Sequence, residues 1–140
     1  METFSTNDGE IILNENTFLI SEMNESGIII SANNDFCKIS GFNADELIGK
    51  PHNILKHHDV PKAVLKDLEQ SIKRGDLWKG IIKNKTKDSL KYYWTFSIIV
   101  PTKSNSKNNL LCLGVKPSES EIKNTITLFE RLNQGFQIAT

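Results

Sequence analysis

Between Leu90 and Val100 the chain alternates without a break. The even positions, Leu90, Tyr92, Trp94, Phe96, Ile98 and Val100, are all large and apolar. The odd positions, Lys91, Tyr93, Thr95, Ser97 and Ile99, are smaller towards the end. A period of two belongs to a β-strand, which sends successive side chains to opposite faces. The chain must therefore build a sheet with one bulky face and one face of short side chains. On alternation alone, the bulky face is core and the short face meets water. A second reading reverses the two. Thr95, Ser97 and Ile99 then wall a cavity for a planar ligand, and the bulky face is an outer surface that the N-terminal arm or another subunit must cover.

The rest of the chain supplies partners for that strand. Residues 1–16 are polar and read as an arm or cap. Two β-rich runs, Thr17 to Met23 and Ile28 to Ile30, flank the turn cluster Asn24-Glu25-Ser26-Gly27 and predict a hairpin. Phe36, Ile39 and Ser40 lie at helical spacing before Gly41, and Asn43 with Glu46 resembles a capping box for a short turn ending at Gly49. Pro51 to Asp59 is too short and polar for more than a helical turn plus a loop. Pro61 opens a helix whose face is Val64, Leu65, Leu68 and Ile72, ending near Arg74-Gly75. Strands are predicted over Trp78–Thr86, over Leu90–Val100 with Pro101 as the stop, and over Leu110–Val115, with 102–109 as a polar loop. Ser118 and Glu121 form a second capping box. It opens a helix whose apolar residues Ile122, Ile126, Phe129, Leu132 and Phe136 suit either a coiled-coil seam or packing on the same domain. The divisions are an arm at 1–16, a domain at 17–117 and a connector helix at 118–140. Strands at both ends with helices between predict an α+β fold, one antiparallel sheet covered on one face.

Composition narrows the function. Lys plus Arg and Asp plus Glu are each 17, so no net field draws nucleic acid or an acidic membrane. Cys37 and Cys112 are isolated and make neither a zinc site nor a disulfide framework. No run approaches the roughly 20 apolar residues that span a bilayer, and no secretory signal is visible, so a cytoplasmic location without direct membrane insertion is expected. Nucleophile elbow, Walker loop and HExxH are all missing from the sequence, so no enzyme is expected.

The strings Asn34-Asp35-Phe36, Ser40-Gly41-Phe42, Glu46-Leu47 and Gly49-Lys50-Pro51-His52-Asn53 resemble the opening half of a PAS domain. PHNILKHHDVPKA (Pro51 to Ala63), GDLWKGIIKN (Gly75 to Asn84) and the stretch from Tyr92 to Pro101 are similar to the PAS modules of bacterial aerotaxis receptors. The likeness spans about residues 17–135. It implies a PAS fold, a five-stranded antiparallel sheet with helices covering one face, and FAD held noncovalently between them with its redox state as the signal. It also implies that Thr95, Ser97 and Ile99 face the ligand while Trp94 faces out.

The same resemblance nominates cofactor-binding residues. Lys56-His57-His58-Asp59 matches a family Arg-His-Pro-Asp stretch. Lys56 keeps the charge there but lacks the planar fork that grips a pyrophosphate. Asn84 matches an asparagine at the flavin edge, where an amide can both donate and accept. Trp78 could pack on the ring or the adenine. His52, His57, Asp59, Thr95, Ser97 and Asn34 complete the set, against simpler roles such as helix capping for Asp59 and Asn34. A light-sensing cysteine would lie within His52 to His58. None does, and with Cys37 earlier and Cys112 in the last strand no photoadduct is expected. The alternatives are haem b held by His57, His58 or His52, or a ligand-free dimerisation module. The expected partners are a membrane chemoreceptor or a HAMP or methyl-accepting signalling protein, and a second copy meeting Tyr92, Trp94, Phe96 and Ile98.

Overall fold

A computed structural model describes residues 4–5, 8–104 and 106–135. The arm contributes β1 (Phe4–Ser5) and β2 (Ile11–Ile12), which pair with each other. The main sheet is built from β3 (Leu19–Asn24), β4 (Ile29–Ala32), β5 (Trp78–Lys85), β6 (Tyr92–Ser104) and β7 (Lys107–Val115). Its order is β4-β3-β7-β6-β5, antiparallel throughout. Between β4 and β5 run α1 (Asn34–Ser40), α2 (Ala44–Leu47), a 3-10 turn (His52–Leu55) and α3 (Lys62–Lys73); α4 (Glu119–Asn133) follows β7. The expected α+β sheet is present.

Local chemistry explains the boundaries. Asn33 caps α1 through its side chain, accepting from Phe36 N at 3.0 Å, and Gly41 closes it in the left-handed conformation. The Glu46 carboxylate accepts from Asn43 N at 3.0 Å, and Ser118 and Glu121 cap α4 reciprocally. Pro61 stands just before the first turn of α3.

Pro101 does not end its strand. β6 runs on to Ser104 and pairs with β7 as far as Ser104 opposite Lys107, so most of the expected polar loop is ladder. β5 pairs only up to Ile99. Beyond that point β6 has a free edge, where a proline costs no bond on that side.

The parity of β6 decides the faces. Tyr93, Thr95, Ser97 and Ile99 turn towards the helices, with Trp94 on the opposite side. Trp94 is nonetheless buried, because α4 lies there. Its ring centroid is 5.9 Å from that of Phe129. The last helix thus packs on its own domain. Ile122 is half-buried and Phe129 and Leu132 are buried, but Thr125 takes the inward place expected of Ile126, which is 41% exposed. Phe136 lies outside the described residues. The arm covers the rest of this face. β7 reaches only Phe96, so the start of β6 has an open side, and there Glu10 bridges to Tyr92, whose N–H donates to Gly9 O at 3.0 Å. Gly9 has φ +91°, and a Cβ there would sit 2.8 Å from Leu90 O. Of the four residues expected at a dimer surface, Tyr92 and Trp94 are therefore engaged within the chain, while Phe96 and Ile98 stay half-buried.

Candidate functional site

Between the inner face and the helices lies a cavity of about 40 Å³. Its sheet side comes from alternate positions of four strands: Leu19 and Ser21, Ile82 and Asn84, Thr95, Ser97 and Ile99, and Cys112 and Gly114. Phe36 of α1, His52 of the 3-10 turn and Lys56 close it. Gly114 lets β7 and β6 lie close here, since a Cβ would come within 3.3 Å of the Thr95 methyl.

A polar row crosses the wall. Asn84 Nδ2 donates to Thr95 Oγ1 at 3.1 Å, and the hydroxyls of Thr95 and Ser97 share a hydrogen bond at 2.8 Å. Opposite, Ser21 Oγ and His52 Nε2 are 3.3 Å apart, while His52 Nδ1 is buried without a partner among the described residues. Burial first, and the Lys56 charge second, push the His52 pKa down to about 3, so the ring is neutral near pH 7. Burial likewise lowers Lys56 from the usual lysine range and raises the Cys112 thiol to about 11.

The segment after the 3-10 turn divides the predicted cluster. Lys56 pairs with Asn84 in an antiparallel bridge on the free edge of β5, and His57 N donates to Lys83 O at 3.0 Å. Extended backbone alternates its side chains, so Lys56 enters the cavity and His57 does not. His57 stands edge-on to Tyr92, with ring centroids 6.1 Å apart. Asp59 pairs with Lys83 at 2.7 Å, and that ammonium lies 4.4 Å from the centre of the Tyr92 ring. The Lys83 hydrogen bond holds the Asp59 carboxyl below its usual range. His57, His58 and Asp59 place their ligand atoms within 4.8 Å of one another, but Asp59 is already committed to Lys83.

Of the nominated residues, His52, Lys56, Asn84, Thr95 and Ser97 meet at the cavity. His57 and Asp59 do not. Asn34 is exposed at the start of α1, and the cap is Asn33. Trp78 shares the inner face, but its indole folds over Gly80 and donates Nε1–H to Asp67 on α3 at 3.1 Å. Sequence reasoning passed over two wall residues. Ser21 and Cys112 are opposite each other on β3 and β7, and Cys112 is opposite Ile99 on β6. The Leu110, Cys112, Gly114 alternation was the signal that could have placed the thiol inside.

A family model described as the PAS fold matches residues 29–115. The chain belongs to the PAS family. This PAS domain is 33% identical over 124 residues to the aerotaxis receptor of Escherichia coli (strain K12), a match covering 88% of this chain and 24% of the receptor. The chain thus spans about a quarter of that relative's length. Among solved structures, a light-oxygen-voltage domain superposes with TM-score 0.66 at 21% identity over 82% of this chain and 87% of its own. A PAS domain from Colwellia psychrerythraea gives 0.64 at 20% over 74% and 88%. The blue-light photoreceptor Aureochrome1 LOV domain gives 0.64 at 18% over 84% and 86%. At 21% identity or less, these structural likenesses show the PAS fold. Among the described residues no helix is long and apolar enough to cross a membrane.

The residues present suit a planar aromatic ring, such as the flavin that the sequence resemblance implies, in chemistry. Leu19, Phe36, Ile82 and Ile99 offer apolar faces, and Asn84, Thr95, Ser97 and Lys56 offer one polar edge. In size the cavity holds a few waters, whereas pockets for larger ligands run to about 300–1,000 Å³. Entry of a tricyclic ring requires the long Lys56 side chain and its neighbours to draw back.

Proposed function

We propose that this PAS domain is a redox sensor that holds FAD noncovalently in the inner cavity, and that its role is signalling rather than catalysis. The observation that carries the reading is the hydrogen-bonded row Asn84–Thr95–Ser97 set in an otherwise apolar wall. Similarity to an aerotaxis receptor supports it. When bound, the flavin would supply reversible electron uptake with a change of protonation at its polar edge. The chain's own residues do the rest. Asn84 can turn its amide to donate or accept, and the two hydroxyls can reverse their hydrogen bond to follow. Thr95 adjoins Trp94 in β6, so a shift of this strand is felt beneath α4. Signalling needs α4 or the arm to have two arrangements that the ligand biases unequally. The proposed setting is cytoplasmic, beside a membrane receptor or a methyl-accepting partner.

The purified protein should show absorption bands at roughly 370 and 450 nm, and Asn84→Ala should retain less flavin. A colourless wild-type protein that takes up no added FAD would refute the reading. A Soret band would replace it with haem, for which only His52 of the three loop histidines lines the cavity.

A further inference from the structure

We propose that Lys56 is the counter-cation of the cavity's ligand, its ammonium pairing with the negative charge that a flavin ring gains on reduction. This rests on the flavin reading above. The Lys56 amine lines the cavity but has no hydrogen bond or ion pair with any described residue. None of the described residues lining the cavity is acidic. Its electrostatic neighbours are the Cys112 thiol and the His52 ring, both uncharged near neutral pH. Buried charges in folded proteins are paired, so the wall lacks one negative charge and leaves space where that charge would sit. The backbone bridge between Lys56 and Asn84 fixes the place. A lysine rooted there can draw back to admit a ring and still reach the edge that Asn84 addresses.

The redox balance is simple. Two electrons from an external donor, dithionite in the test below, and one proton leave the ring with one net negative charge. A second proton would leave it neutral. A cation held at the polar edge favours the one-proton product.

The test reconstitutes wild type, Lys56→Met and Lys56→Arg with FAD and titrates each potentiometrically at several pH values. In wild type the midpoint should fall by about 30 mV per pH unit, one proton per two electrons. Lys56→Met should lose at least tenfold in its preference for the reduced ring, about 30 mV for two electrons. Its slope should steepen, and its reduced spectrum should change to that of the neutral ring. Lys56→Arg should restore all three. In the flavin-free protein, Lys56→Met should raise the thermal midpoint, because an amine with no partner in the cavity is removed; a lysine with a structural role would lower it. If Lys56→Met releases flavin, the wild-type slope decides, and two protons per two electrons overturns the proposal. A flavin-loaded Lys56→Met with wild-type potential and slope overturns it and leaves flavin binding standing. A wild type that takes up no flavin removes both.

Discussion

Gly80→Ala is a change of one methyl group that should be felt through the whole inner face. A Cβ on residue 80 would lie 2.4 and 2.7 Å from two atoms of the Trp78 indole, where carbon atoms prefer about 3.5–4.0 Å. The ring must therefore move by about an ångström. It is held by its 3.1 Å bond to Asp67 and by burial beside α3. Overpacking of this kind costs about 1–3 kcal/mol, and the lost hydrogen bond adds about 0.5–1.5. Removing a strand glycine returns about 0.5–1. The net loss is about 2 kcal/mol, or roughly 6–8 °C in thermal midpoint for a chain of this size. Circular dichroism on heating and urea titration both measure it. The penalty should shrink when Trp78→Leu is already present, because the clash partner has gone. A midpoint within one degree of wild type, or an undiminished penalty in the double variant, would refute the argument.

Other outcomes follow from the same geometry. His52 has a folded pKa below its unfolded value, so the unfolded chain binds the extra proton between about pH 6.5 and 3. Stability should fall as pH drops through that window, by as much as several kcal/mol at about 1.4 per unit, and His52→Gln should flatten the acid limb of a urea-midpoint profile. Asp59 also has a lowered pKa, so its contribution is present above about pH 4 and lost as pH falls through the folded value. Asp59 is half-exposed, so Asp59→Asn should cost less than about 1 kcal/mol at pH 7 and progressively less as the pH is lowered below about 4, read by thermal melts across that range. Gly9→Ala should detach the arm from β6, exposing Tyr92 and Trp94 to a fluorescence quencher without unfolding the sheet. An unchanged quenching constant would count against the arm's role as a cover.

Much of the fold was legible because its signals are local. Asn43 with Glu46, Ser118 with Glu121 and Gly41 are each read within a few residues, and each acts as expected. The parity of β6 was legible as a pattern but not as a direction, since both sides of Trp94 and Tyr93 end up buried. Only α4 and the arm, distant in sequence, explain why a bulky outer face is dry. Pro101 misled because a proline ends a strand only when its neighbour on that side is still paired. At the site, Asn84, Thr95 and Ser97 converge because β5 and β6 present one parity to the helices, and His52 and Lys56 reach the same cavity from the 3-10 turn and the segment after it. The Lys56 to Asp59 stretch was read as one cluster because its pairing with the edge of β5 cannot be seen in sequence. Cys112 was set aside for its position in the last strand, although that strand sits between β3 and β6 in the middle of the sheet.

The pairing of residues 56–57 with β5 has a mechanical consequence. Three peptide bonds separate Lys56, whose amine is in the cavity, from Asp59, whose carbonyl accepts from Asn133 near the end of α4 at 3.2 Å. The strip works as a short lever around the sheet's rim. Its inner arm is joined to the terminal helix by three peptide bonds and one hydrogen bond, a route that does not pass through the ladder of β5 and β6.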